Sequence, residues 1–124
     1  MTVSLSKLHY HQRRRLLDLI YSDGSCSSLS AEFLRVHSPS AEVRGHGKPS
    51  LVANKRDVAI SSIIPIGHYA IKLVFDDGHN TGLYSFAYLQ QLAAKQPLLW
   101  QQYLQQLKLA NASREPRIAI KTLP

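Results

Sequence analysis

The feature that most constrains this chain is a change of hydrophobic period near residue 86. In "HYAIKLVFDDG", Tyr69, Ile71, Leu73 and Phe75 fall on one side of an extended backbone, and Ala70, Lys72, Val74 and Asp76 on the other. Beyond it, Phe86, Leu89, Leu92 and Ala93 recur at helical spacing until Pro97 interrupts. A second helical stretch, "LLWQQYLQQL", then aligns Leu99, Trp100, Tyr103, Leu104 and Leu107 on one stripe. Strands come first and helices last.

The earlier segments fit that order. In "RLLDLIYSDGSCSSLS", Leu17, Leu19 and Tyr21 alternate with Leu16, Asp18 and Ile20, and Asp23-Gly24 supplies a tight turn, so the stretch reads as a hairpin. Ser30 precedes "AEFLRV" as a cap for one or two helical turns. Residues 38–56 carry Pro, Gly and Ser without periodicity and read as a long loop. Val58 to Ile66 is rich in β-branched residues, with Pro65 marking a strand end or edge. Asp77-Gly78 closes another turn, and "HNTGLYSF" returns as its partner strand. The expected fold is α+β: an antiparallel sheet packed by helices on one face, in a two-layer single domain. The turns Tyr21-Ser22-Asp23-Gly24 and Phe75-Asp76-Asp77-Gly78 look alike, but the surrounding pattern does not repeat and predicts no duplication.

Composition removes several function classes. The chain has 124 residues, enough for one domain with a real core, placed here at about 8–107 with basic ends. No segment reaches bilayer length, and "MTVSLSKLHYHQRRR" lacks the apolar core of a secretory signal, so a cytoplasmic protein without membrane contact is expected. The single Cys26 excludes an internal disulfide and any multi-thiolate site, and it has no adjacent base to activate it. The net charge is +7, but the 92 residues from 16 to 107 hold seven cations and seven acids. The excess sits in Lys7 and Arg13–Arg15 at one end and in Lys108, Arg114, Arg117 and Lys121 at the other. Solvated termini explain it more simply than a nucleic-acid surface, where cations interleave with groups that read or stack on bases.

Three segments, "IYSDGS", "LRVHSPSAEVRGHG" and "IIPIGHYAIKLVFDDGHNTGLYSFAYL", together resemble the domain at the N-terminus of gamma-butyrobetaine hydroxylase and trimethyllysine hydroxylase. Bacteria carry similar small proteins as stand-alone chains. In the hydroxylases the resemblance implies a structural zinc held by Cys-x-Cys-x-x-Cys and one histidine. Those places fall here at Ser38, Ser40, Val43 and His79. Serine binds zinc poorly and valine not at all, so the expectation is a vestigial site with no metal and no cofactor. The resemblance does not carry the hydroxylase activity. No histidine of this chain has a carboxylate two residues on, as an iron-binding His-x-Asp/Glu pair needs. Similar domains also accompany P-loop ATPases that carry iron–sulfur clusters, but the phosphate-binding loop of those enzymes is missing here.

The remaining candidates have plain alternatives. His79 reads first as a structural histidine bonded to the Ser38–Val43 loop, and His68 as a surface group or part of the same cluster. Arg35, Arg44, His46 and Lys48 could rim an anion around the glycines of "RGHG"; an Arg35 pair with Glu32 or Glu42 explains the first as well. The last helix has no charge from Gln96 to Leu107, with Gln101, Gln102, Gln105 and Gln106 on its polar face. That suits a contact with another protein or a second copy, with Trp100 or Tyr103 as anchor. The reading is a non-catalytic accessory domain, linked by family company to iron–sulfur or cofactor assembly. A nucleic-acid-binding protein using its basic ends is the alternative.

Overall fold

The computed structural model describes residues 4–40 and 51–116. Val43, Arg44, His46 and Lys48 lie outside them. The elements are β1 (Leu5–His11), β2 (Leu16–Tyr21), β3 (Cys26–Ser30), α1 (Ala31–Val36), β4 (Ile60–Ile66), β5 (Ala70–Phe75), β6 (Gly82–Ser85), α2 (Phe86–Ala94) and α3 (Gln96–Leu109). The fold is α+β. Where one sheet was expected there are two, β1-β2-β3 and β4-β5-β6, each antiparallel throughout.

Both sheets turn their apolar sides into one core. Leu17, Leu19 and Leu29 come from the first, Ile71, Leu73, Phe75 and Tyr84 from the second, and all are buried. Phe33 and Leu34 of α1 and Leu89 and Leu92 of α2 complete that core. Tyr69, assigned to the inner face by alternation, is 79% exposed because it sits in the turn before β5. Pro97 starts α3 rather than breaking a helix, since its missing N–H costs nothing in the first turn.

The absence of an internal repeat is the main sequence expectation the structure overturns. The chain is two consecutive β-β-β-α units. β1 and β4 each have seven residues, and each slips register at its second residue against a six-residue partner. Both second hairpins close through glycines at positive φ, Gly24 at 86° and Gly78 at 92°. In each turn the aspartate accepts a backbone N–H two residues on: Ser25 to Asp23 at 2.9 Å, His79 to Asp77 at 3.0 Å. Each unit then ends on a serine cap, Ser30 Oγ accepting from Phe33 N and Ser85 Oγ from Tyr88 N, both at 3.0 Å. The units differ most after the cap: α1 stops at Val36, whereas α2 runs to Ala94.

Residues 108–116 are part of the fold rather than a solvated tail; Arg117 and Lys121 lie outside the described residues. Asn54 N donates to Ser113 O at 2.8 Å and Arg56 N to Arg114 O at 2.9 Å. The Arg114 guanidinium lies 5.0 Å from the centre of the Trp100 ring and grips buried Glu32 through two 2.8 Å bonds. Order thus extends past residue 107. At the other end, Lys7 and Arg13–Arg15 do lie on β1 and its exposed turn.

Candidate functional site

The second unit's Asp-Gly turn meets the segment that follows α1. His37 ends the helix, its ring Nδ1 2.9 Å from Phe33 O, and burial lowers its pKa more than that bond raises it. The chain then turns through Ser38-Pro39-Ser40 onto β6. Ser38 Oγ lies 2.9 Å from His79 Nε2, Ser40 N donates to Ser38 Oγ at 3.3 Å, and the Ser40 and Thr81 hydroxyls are 2.7 Å apart. Ser38, Ser40 and His79 are all buried. Beneath them Tyr84 donates to Leu34 O at 2.5 Å, and burial raises its pKa.

Gly82 is what lets the segment approach. A Cβ there would stand 2.5 Å from Ser38 Oγ and 3.0 Å from the Tyr84 ring. Gly82→Ala should therefore cost about 2 kcal/mol by overpacking. Pairing it with Ser38→Ala, which removes the closest atom, should cost less than the sum of the single changes in urea melts. Additivity would show that the two positions do not press on each other.

Beside this cluster sits a charged one. Asp77 Oδ2 receives Arg35 Nε at 2.8 Å and Lys55 Nζ at 2.6 Å. Burial raises the Asp77 pKa, but the Lys55 ammonium, the His79 N–H and the Arg35 guanidinium outweigh it and hold the carboxyl down at about 2. Arg35 was expected to pair with Glu32 or Glu42; Glu32 instead belongs to Arg114. Among the described residues Arg35 Nη1 is buried without a hydrogen-bond partner, so two cations share one carboxylate and one donor is left over.

What this arrangement can do is limited. A hydroxyl and an imidazole in hydrogen-bond contact have the outline of a nucleophile and its base. Ser38 is only 2% exposed, however, and Asp77 accepts from the His79 backbone rather than orienting its ring. The donors do not suit zinc either: two hydroxyls and one imidazole lack the thiolates or further imidazoles that a structural zinc takes. Among the described residues no three His, Cys, Asp or Glu side chains are placed to hold a metal. The cluster works as a polar clasp between the two units.

The other candidates lie elsewhere. His68 is exposed in the turn before β5, against the Tyr69 ring, while His79 follows the far end of that strand about 20 Å away. They do not form one cluster. Tyr103 is 4% exposed and donates to Val52 O at 2.6 Å; burial, and then the Glu32 carboxylate, push its pKa up to about 12. Its place is in the core, so it cannot serve as a surface anchor. Trp100 is half covered, packed on Phe33 and under Arg114. Asp77, Lys55, Thr81 and Gly82 were not found from sequence. A lone glycine inside a strand pattern was the one available signal, since it often marks a close backbone approach.

Comparison with known proteins agrees with this architecture. Two structures determined by NMR in solution are similar over 99% of this chain. One is 43% identical with a TM-score of 0.82 and is covered over 98% of its own length; the other is 50% identical at 0.79 and is covered over 95%. A crystal structure from Acidithiobacillus ferrooxidans, described as a protein of unknown function in the DUF971 family, is 34% identical with a TM-score of 0.63. It spans 73% of this chain and 93% of its own. No curated protein matches. Among the described residues no helix is long and apolar enough to cross a membrane. Residues 8–90 match the family described as gamma-butyrobetaine hydroxylase-like, N-terminal, and the chain belongs to that family.

Proposed function

We propose that this chain is a non-catalytic accessory domain that docks on another protein through the outer face of α3. One observation carries the reading. α3 has fourteen residues yet buries only Tyr103 and Leu107, leaving Leu98 at 56% and Leu109 at 81% exposure among uncharged glutamines. Leu98, Gln102, Gln105 and Leu109 share one side of the helix, so an apolar and amide stripe faces away from the core. Helices that face only water carry charges there, whereas the centres of protein interfaces are depleted of them. The family's company with cofactor-bearing ATPases gives iron–sulfur or cofactor assembly as the setting.

A photo-crosslinking residue at Leu98, in cells, is expected to give one discrete adduct with a protein other than this chain. The same residue at Asp23 should give none, and Leu109→Glu should remove the Leu98 adduct. No adduct at Leu98, or equal adducts at both places, would overturn the proposal; a homodimer adduct would make the partner a second copy.

The basic end of β1 supports the alternative of nucleic-acid binding. Arg13 and Arg14 are exposed in its turn, and His9 lies 4.5 Å ring to ring from His11 on the same strand. Phosphate contacts there would make binding fall steeply with salt.

A further inference from the structure

The arginines of this chain divide by what they meet. Arg15 pairs with Asp57, Arg35 with Asp77, Arg56 with Glu115 and Arg114 with Glu32. Arg13 and Arg14, exposed in the turn between β1 and β2, meet no carboxylate among the described residues. Together with His9, Tyr10, His11 and Gln12 they line a cleft of about 510 Å³, and no acid lines it. The turn is held from both sides. Arg15 N donates to His11 O at 2.8 Å, and Ala31 N, at the start of α1, donates to Arg15 O at 2.8 Å. Arg15 itself takes φ 55°, where the other hairpin turns use Gly24, Gly67 and Gly78; a cation stands at a place that glycine fills at lower cost. On the strand, the His9 and His11 rings are 4.5 Å apart on one face. Asp18 lies 2.7 Å from His11 Nε2 and accepts from Ser28 Oγ at 2.6 Å, so both its oxygens are engaged.

We infer that this turn binds a phosphate group of the compact kind carried by a small phosphomonoester. Two guanidinium forks on one cleft can meet several oxygens of a single phosphate, which point-like ammonium groups match less well. Because the turn is already fixed at His11 and at the start of α1, little order remains to be imposed on binding. The pairing of the other arginines decides between sources of phosphate. A nucleic-acid backbone presents charges in a row and is met by a stripe of clustered cations. Here four of the six described arginines are neutralised within the fold, so the unmatched guanidinium charge is gathered at one turn. Lys7, the other cation of β1, does not line the cleft. The inference is independent of the docking reading and shares no residue with the α3 stripe.

Amide NMR titrations of the full chain with inorganic phosphate and with glycerol 3-phosphate, at fixed pH and with ionic strength held constant by sodium chloride, test it. Saturable shift changes concentrated between His9 and Arg15 are expected. Changing Arg13→Gln and Arg14→Gln together should weaken binding about tenfold or more. Arg14→Lys should weaken it less, and Lys7→Gln, outside the cleft, should leave it nearly unchanged. All of these side chains are exposed, so the variants should keep the wild-type spectrum away from the turn. No saturable change at this turn, undiminished binding by the double variant, or an equal loss in Lys7→Gln would each overturn the inference. A short oligothymidine strand is the last arm. If it binds more tightly than either phosphate, weakens steeply with salt and also shifts Lys7, the compact ligand gives way to a nucleic-acid backbone.

Discussion

Arg114→Ala is expected to lower stability by about 3 kcal/mol at neutral pH, a fall of roughly 10 °C in Tm. The size follows from which partner is left behind. Arg114 is about a third exposed and would lose little by facing water, but the Glu32 side chain is only 6% exposed and holds both oxygens against that guanidinium. Removing the cation strands a buried carboxylate, and the loss of the Trp100 stack adds to it. Glu32→Gln in the same background should recover part of the loss, because an amide tolerates burial better than an unpaired charge. Lys108→Ala, an exposed cation nearby, should change stability by less than about 0.5 kcal/mol. Chemical denaturation of these variants beside the wild type decides it. Equal small effects for Arg114 and Lys108 would return the C-terminal segment to the status of a solvated tail.

That segment shows where sequence reasoning reached and where it stopped. Alternation and helical spacing located β2, β5, α2 and α3 because they report burial directly: Leu17, Leu19, Ile71, Leu73 and Leu89 all ended inside. Charge counting over residues 108–124 could not show that Arg114 crosses the fold to Glu32, because nothing local distinguishes it from a solvated arginine. The doubled unit was hidden for a related reason. What the halves share is backbone chemistry, namely Gly24 and Gly78 at positive φ, Asp23 and Asp77 accepting backbone N–H groups, and Ser30 and Ser85 as caps. Those are few residues, and the register between halves shifts by one after the first turn and again before the caps, which blurs any sequence match. In the candidate site, the segment around Ser38 and His79 was named on family resemblance. Lys55 and Asp77 come together only through the tertiary fold, and neither carries a local signal of its partner.

The Asp77 pair yields the second large effect, and pH separates it from packing. Asp77→Asn keeps the shape and an oxygen for the His79 N–H but leaves Arg35 and Lys55, whose side chains are only 12% and 23% exposed, without their counter-charge. A loss of about 2 to 3 kcal/mol at pH 7 is expected. In the wild type the Asp77 carboxyl sits at about 2 when folded, against 3.8 for the free group. A depressed carboxyl pKa contributes stability that is full above the unfolded value and fades as pH drops through the folded one. The wild-type advantage, about 2 kcal/mol by that linkage, should hold down to about pH 4 and vanish near pH 2. Asp18 and Asp23, both lowered by hydrogen bonds from neighbouring serines, add slope in the same window. Because they remain in the variant, the difference between the two curves isolates Asp77. Urea melts from pH 2 to 7 should therefore converge at the acid end. Parallel curves would mean that the asparagine side chain weakens packing and that the carboxylate's charge does not hold Arg35 and Lys55 in place.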